Sequence, residues 1–137
     1  MHSLGWVKLI NIPKIIDDCN LYFAQTPDHI PFKVRRVYFI TSANTRLPRG
    51  FHAHKKNQQA IFCIQGSMKL ILDNGKNKKE VVLDKPNMGV FLDKMIWHEM
   101  LDFKKNTILL VLASQIFNEK DYVRDYEKFK KRTAKIS

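Results

Sequence analysis

Acidic residues, cysteines and long apolar runs are all in short supply in this 137-residue chain. Asp and Glu number 13 against 24 Lys and Arg, and the formal net charge of +11 favours an anionic partner through long-range attraction. Part of that excess lies in Lys128, Lys130, Lys131, Arg132 and Lys135, a run that a solvated helix end would carry. The two cysteines, Cys19 and Cys63, give no disulfide framework, and Cys63, inside Ala60-Ile61-Phe62-Cys63-Ile64, reads as a buried free thiol. No apolar run approaches the roughly 20 residues of a membrane span. Met1 to Lys14 hold no stretch suited to a signal peptide, so a reducing cytoplasm is the expected location. Internal repeats, low-complexity tracts and linkers are missing. So is any basic patch interleaved with aromatics, which argues against nucleic acid as the partner. The length does not suit two well-stabilised cores, and a single domain over 1–137 is expected.

What is present is material for one packed interior: 45% hydrophobic residues, with nine Phe, four Tyr and two Trp. From Phe32 to Ala113 short β-rich runs alternate with turn chemistry, the pattern of a sandwich or barrel. Candidate strands are 33–41, 59–65, 67–73, 79–83, 89–92, 96–102 and 107–113, all rich in Val, Ile, Leu, Phe or Tyr. Asn74-Gly75 predicts a hairpin, because both residues tolerate the positive φ of a type I′ turn. Towards the C-terminus the period changes. Tyr122, Tyr126 and Phe129 fall on one helical face, and Asn118 is placed to cap a helix over about 119–132. The first thirty residues, broken by Pro13 and Pro27, with Pro31 just beyond, predict no long element.

His52 and His54 stand two apart, so on a strand both imidazoles emerge on one face. They could share a metal ion or transfer protons, since imidazole titrates near neutrality. Gly50 before the pair, Gln59 and Gly66 after it, and His98 in Met95-Ile96-Trp97-His98-Glu99-Met100 complete a layout that resembles the cupin superfamily. That resemblance implies an all-β fold, a double-stranded β-helix or jelly-roll barrel, here with a C-terminal α-helix. Gln59 stands where metal-binding cupins usually carry Glu, and a neutral amide is the poorer ligand for a divalent cation. Spacing leaves two readings open. In one, His52, His54 and His98 hold Zn, Fe, Ni or Mn, with Gln59 as an optional fourth ligand; in the other, the histidines work without metal.

A closer resemblance covers the chain from about Ile30 onward. His29-Ile30-Pro31-Phe32, Arg36-Val37-Tyr38, Arg49-Gly50-Phe51-His52-Ala53-His54-Lys55-Lys56, Leu72-Asp73-Asn74-Gly75, Trp97-His98-Glu99-Met100 and Asp121-Tyr122-Val123-Arg124-Asp125-Tyr126 are similar to the nucleotide-sugar 3,4-ketoisomerases. These are metal-free, WxcM-like cupins related to the deoxysugar 3,5-epimerases. The resemblance implies a dTDP-linked 4-keto-6-deoxy sugar as partner, no cofactor, a homodimer, and a 3-keto product leading to 3-amino-3,6-dideoxy sugars of surface polysaccharide. It makes His54 the candidate base, His52 its proton-shuttling partner and Tyr38 a phenol donor. Arg36, Arg49, Lys55, Gln59, Trp97 and His98 become candidate substrate-binding residues. Where the family carries an Asp-x-Arg-Gly-type turn, this chain has Asp17-Asp18-Cys19-Asn20-Leu21 and no arginine. Two other functions fit the same residues: a metal-dependent dioxygenase or sugar isomerase, and a non-catalytic nucleotide-sugar binding module.

Overall fold

The computed structural model describes residues 1–136. The expected strands are present, with ends that match or differ by one to three residues. They are β5 (Arg36–Ile40), β7 (Gln59–Gln65), β8 (Met68–Asp73), β9 (Lys78–Leu83), β10 (Met88–Leu92), β11 (Trp97–Leu101) and β12 (Ile108–Ala113). The histidine motif forms a strand of its own, β6 (Arg49–His54). The N-terminal region contributes β1 (His2–Leu4), β2 (Val7–Asn11), β3 (Lys14–Ile16) and β4 (Asn20–Tyr22), which the sequence did not disclose. A two-residue strand, β13 (Tyr122–Val123), precedes the helix α1 (Tyr126–Ile136).

The strands assort into a six-stranded sheet, β1-β2-β10-β7-β12-β5, and a five-stranded sheet, β13-β6-β11-β8-β9. Period-two burial brings the two together. Along β12 residues 109, 111 and 113 are buried while 108, 110 and 112 are only partly covered. Leu109 and Val111 then meet Leu70, Leu72, Val81 and Met100 of the other sheet in one core cluster. This is the sandwich closed by apolar alternation that the sequence predicts. The β3–β4 hairpin stands apart from both sheets, with Ile15, Ile16 and Leu21 exposed and Asp17-Asp18-Cys19 at its tip.

Two local expectations are corrected. The 73–78 connection is a hairpin, but only Gly75 takes a positive φ, +94°. Asn74 instead turns its side chain onto the loop and accepts from the amides of Lys76 and Asn77 at 2.9 and 2.8 Å. A Cβ at Gly75 would also lie 2.2 Å from Thr133 Oγ1, so close docking of α1 requires glycine there. The helix begins at Tyr126, not near 119. Asn118 does act as a cap, accepting from the Lys120 amide at 3.0 Å, but it caps a 3₁₀ turn over Glu119–Asp121. Asp125 receives the Lys128 amide at 3.0 Å, as an N-cap of α1 does.

Between these turns Tyr122 and Val123 pair with His54 and Ala53 of β6, so the backbone there is extended. α1 is anchored by Phe129, fully buried against Trp97, Ala53 and Val123. Burial of that ring contributes roughly 1.5–3 kcal/mol. A hydrogen bond of 2.6 Å from Tyr126 Oη to the buried Asp73 carboxylate fastens the same helix to the β8 end of the hairpin.

Candidate active site

β6 presents its histidines through a bulge. Gly50 and Phe51 both take positive φ, +98° and +58°. The register with β11 steps there, so that His98 faces His52 while Glu99 faces Gly50. A Cβ at Gly50 would sit 3.0 Å from the His98 carbonyl oxygen, and the close approach of these strands depends on its absence. Beyond the bulge alternation resumes. His52 and His54 share one face, ring centroids 4.9 Å apart, and Ala53 turns the opposite way into the Trp97–Phe129 cluster. His98 completes the group, its ring 4.4 Å from that of His52 and 6.3 Å from that of His54.

The His52 and His98 rings border a cleft of about 380 Å³. Its walls include Arg36 and Tyr38 from β5, Arg49 and His52 from β6, His98 from β11, and Phe117 and Tyr122 from the segment before α1. His54 is not on that wall. It lies behind, with only 3% of its surface exposed.

His52 and His54 each have one nitrogen committed. His52 Nδ1 contacts the Gly50 carbonyl at 3.1 Å and therefore carries the proton, which leaves Nε2 as a lone pair. Burial depresses the His52 pKa to about 4, against the Gly50 hydrogen bond, and the charges of Arg124 and Arg49 push the same way. His54 Nδ1 donates to Asp121 Oδ2 at 3.1 Å, and its Nε2 is buried without a partner. Burial, with the charges of Arg36 and Arg124, lowers the His54 pKa against the pull of Asp121, so the contact is a neutral imidazole on a carboxylate, not an ion pair. His98 is fully buried and pushed well below its ordinary range by that burial, reinforced by the other two histidines.

Tyr38 accepts a hydrogen bond from Gln59 Nε2 at 2.7 Å, which leaves its own O–H free to donate. Burial raises its pKa, so it remains a phenol at neutral pH. The Arg36 guanidinium lies 5.5 Å from the Tyr38 ring centroid and 5.8 Å from that of Phe117. Its Nε is buried and unpartnered. Arg36 and Arg49 both line the cleft, and each guanidinium presents paired donors suited to phosphate oxygens.

Among the described residues only Asp17, Asp18 and Cys19 bring three ligand-type atoms within 4.8 Å of one another. Those three form an exposed turn in which Asp17 accepts from the Cys19 amide at 3.1 Å. His52, His54 and His98 do not converge in that way, and Gln59 points its amide nitrogen at Tyr38. Both cysteines are free; burial pushes the Cys63 thiol up to about 11.

The structure thus places His52, Tyr38, Arg36, Arg49 and His98 around one cleft, and it moves three expected substrate contacts elsewhere. Trp97 precedes His98 on β11, so alternation turns it to the opposite face of the sheet. There it packs on Tyr126 and Phe129 at 5.2 and 5.6 Å. Lys55 lies past the end of β6, exposed, in a groove with Arg132 and Lys135. Gln59 is buried and touches the phenol instead of lining the cleft. Three further residues join the site. Asp121 accepts from His54 and also from the Lys56 and Asn57 amides, at 2.7 and 3.2 Å. Phe117 and Tyr122 line the cleft. The stretch Asp121-Tyr122 was quoted above for its family likeness, and reading it as helix hid its contact with β6.

Two opposed antiparallel sheets around a core, with the reactive side chains gathered on the inner wall, define a cupin. The profile of the FdtA family, WxcM-like, C-terminal, matches residues 6–134, and the chain belongs to that family. It is 44% identical over 131 residues, 95% of this chain and 94% of the relative, to the TDP-4-oxo-6-deoxy-alpha-D-glucose-3,4-oxoisomerase of Aneurinibacillus thermoaerophilus. The sugar 3,4-ketoisomerase QdtA of Thermoanaerobacterium thermosaccharolyticum, solved with TDP, superposes with a TM-score of 0.93 at 36% identity, covering 98% of each chain. The rmlC epimerase of Mycobacterium tuberculosis shares the fold, with a TM-score of 0.74 at 16% identity over 89% of this chain and 70% of the epimerase.

Proposed function

We propose that this protein isomerises a TDP-linked 4-keto-6-deoxyhexose to its 3-keto form by proton transfer through an enediol. The observation that carries this reading is the His52 lone pair at the wall of a cleft that also holds a phenol and two guanidiniums. Support also comes from QdtA, a histidine-to-asparagine mutant of which has been solved with TDP-4-keto-6-deoxyglucose. Arg36 and Arg49 grip the diphosphate and set the sugar against the histidines. His52 Nε2 takes the proton from C3, made acidic by the neighbouring C4 ketone, and the C–H electrons become the C3–C4 double bond. The charge that develops on the C4 oxygen receives the Tyr38 O–H. The proton of the C3 hydroxyl then leaves, C4 is protonated, and the C3 oxygen becomes the ketone. The sum is an internal redox change with no external oxidant.

The cleft-facing position favours His52 over His54 as the base. His54, steadied by Asp121, is the second proton carrier. Its acceptor nitrogen is buried in the same cluster, and the entering diphosphate and the enediolate both raise the proton affinity of the pair. The 3-keto product is the form an aminotransferase would convert towards a 3-amino-3,6-dideoxy sugar, and a cytoplasmic location suits a nucleotide-sugar substrate.

The expected result in deuterated water is solvent deuterium in TDP-4-keto-6-deoxyglucose and its isomer, with the 3-keto product trapped by a 3-aminotransferase. Absence of both label and trapped product would overturn the proposal.

The working unit proposed is a homodimer. Val37 and Phe39 on the outward side of β5 are 58% and 67% exposed, and Ile64 on the same sheet is 43% exposed. The β3–β4 hairpin adds Ile15, Ile16 and Leu21. Exposed apolar surface on this scale suits a second copy. Analytical ultracentrifugation should give twice the 16.1 kDa chain mass, and a monomer at micromolar concentration would refute it.

A further inference from the structure

The segment after the 3₁₀ turn lays one aromatic ring over both imidazoles. The Tyr122 centroid is 4.8 Å from that of His52 and 4.5 Å from that of His54, with interplanar angles of 52° and 59°. The Arg124 guanidinium lies over the same ring, 4.2 Å from its centroid. Glu119 holds that guanidinium by two hydrogen bonds, Nε to Oε1 at 2.8 Å and Nη2 to Oε2 at 3.2 Å. Glu119 and Arg124 thus bracket the stretch of chain that carries both Asp121 and Tyr122.

We propose that Tyr122, clamped by the Arg124–Glu119 pair, is a positioning residue of the isomerase that caps the His52–His54 pair, fixes the tilt of both rings and keeps water from them. The proposal rests on those two histidines being the proton carriers. Each imidazole is tied at Nδ1 alone, to Gly50 or to Asp121, and a single hydrogen bond leaves the ring free to swing about it. The Tyr122 ring touches both and removes that freedom at once. The Arg124–Glu119 pair is exposed, and an exposed ion pair adds little to fold stability, so its two-point geometry has its effect through the ring it holds. β13 is only two residues long, and such a short strand profits from a clamp beyond its ladder bonds.

The charged and titratable groups facing the pair are Arg36 and Tyr38 from β5, Arg49 from β6, His98 from β11, and Glu119, Asp121, Tyr122 and Arg124 from the capping segment. Removing the cap admits water, and removing Arg124 removes a cation. Both changes raise the proton affinity of the imidazoles.

Tyr122→Ala should lower kcat about 10- to 100-fold with little change in KM, and should move the acid limb of the kcat/KM profile to higher pH. Tyr122→Phe should restore kcat to within about threefold of wild type and return the limb, because the ring and not the hydroxyl does the capping. Arg124→Gln leaves the ring and backbone in place, so it tests the clamp even where Tyr122→Ala folds poorly. It should shift the limb in the same direction by a smaller amount. NMR titration of the imidazoles reads the same shifts without turnover. Unmoved imidazole titrations in both Tyr122→Ala and Arg124→Gln, or a Tyr122→Phe variant as impaired as Tyr122→Ala, would overturn the capping role. Failure of the base assignment shows separately, as normal turnover in His52→Asn.

Discussion

Replacing His52 by asparagine should reduce kcat by a factor of about 10²–10⁴, the usual contribution of a positioned general base. Asparagine can still place an N–H on the Gly50 carbonyl and fills part of the same space, but it offers the substrate no basic lone pair. Arg36 and Arg49 are untouched, so nucleotide affinity measured by calorimetry should stay within a few fold of wild type. Loss of solvent deuterium at C3 distinguishes this from a general weakening, because proton abstraction is the step removed. Wild-type exchange in His52→Asn together with none in His54→Asn would reverse the two roles.

With His52 as the proposed base, the same imidazole should set the acid limit of the free enzyme. Its pKa is lowered to about 4, so the basic form persists as pH falls through the range where an ordinary histidine protonates. The sign for stability is the opposite of a salt-bridged histidine. Below about 6.5 the unfolded chain takes up a proton at this position and the folded chain does not, so acid between about 6.5 and 4 favours unfolding.

Asp121→Asn should be nearly as damaging. The carboxylate accepts from three donors at once: the Lys56 amide, the Asn57 amide and His54 Nδ1. A carboxamide has one oxygen, so its NH₂ must confront either the Lys56 amide, in the place of Oδ1, or both the Asn57 amide and the imidazole N–H, in the place of Oδ2. In the second arrangement the His54 proton moves to Nε2, which converts the ring from acceptor to donor towards the other histidines. A wrong tautomer of this kind costs up to about 10⁴ in kcat in His–Asp pairs of other enzymes. The expected signature is a large loss in kcat, a nearly unchanged KM and a shifted His54 imidazole resonance. Turnover within a few fold of wild type would show that Asp121 only closes the loop at Lys56 and Asn57.

Much of this site was legible in the chain because strand periodicity is a strict rule. Spacing of two placed His52 and His54 on one face, and the structure agrees. The same rule, applied to Trp97 and His98, excludes both from one cleft, so the departure of Trp97 from the substrate list was readable from adjacency alone. Other features were not readable. The bulge at Gly50-Phe51 depends on a positive φ at a phenylalanine, which local preference opposes and only the close pairing with β11 imposes. Tyr122, Tyr126 and Phe129 do satisfy helical spacing, but Asp121 is drawn onto β6 67 residues away, and Tyr122 is extended as a result. Of the N-terminal strands, β3 and β4 escaped notice because they bury almost nothing, which leaves no alternation to see.

Gln59 has a consequence that reaches beyond its contact with Tyr38. An amide nitrogen can only give a hydrogen bond, so donation runs in one direction, from the barrel interior through the phenol oxygen and out towards the sugar. A carboxylate at 59 would reverse that polarity. It would draw the phenol proton inward and present the substrate with a lone pair where an oxyanion needs a donor. The choice between Gln and Glu at this one position therefore orients a proton on a neighbouring strand, and it separates a barrel wired to stabilise an enediolate from one wired to hold a cation.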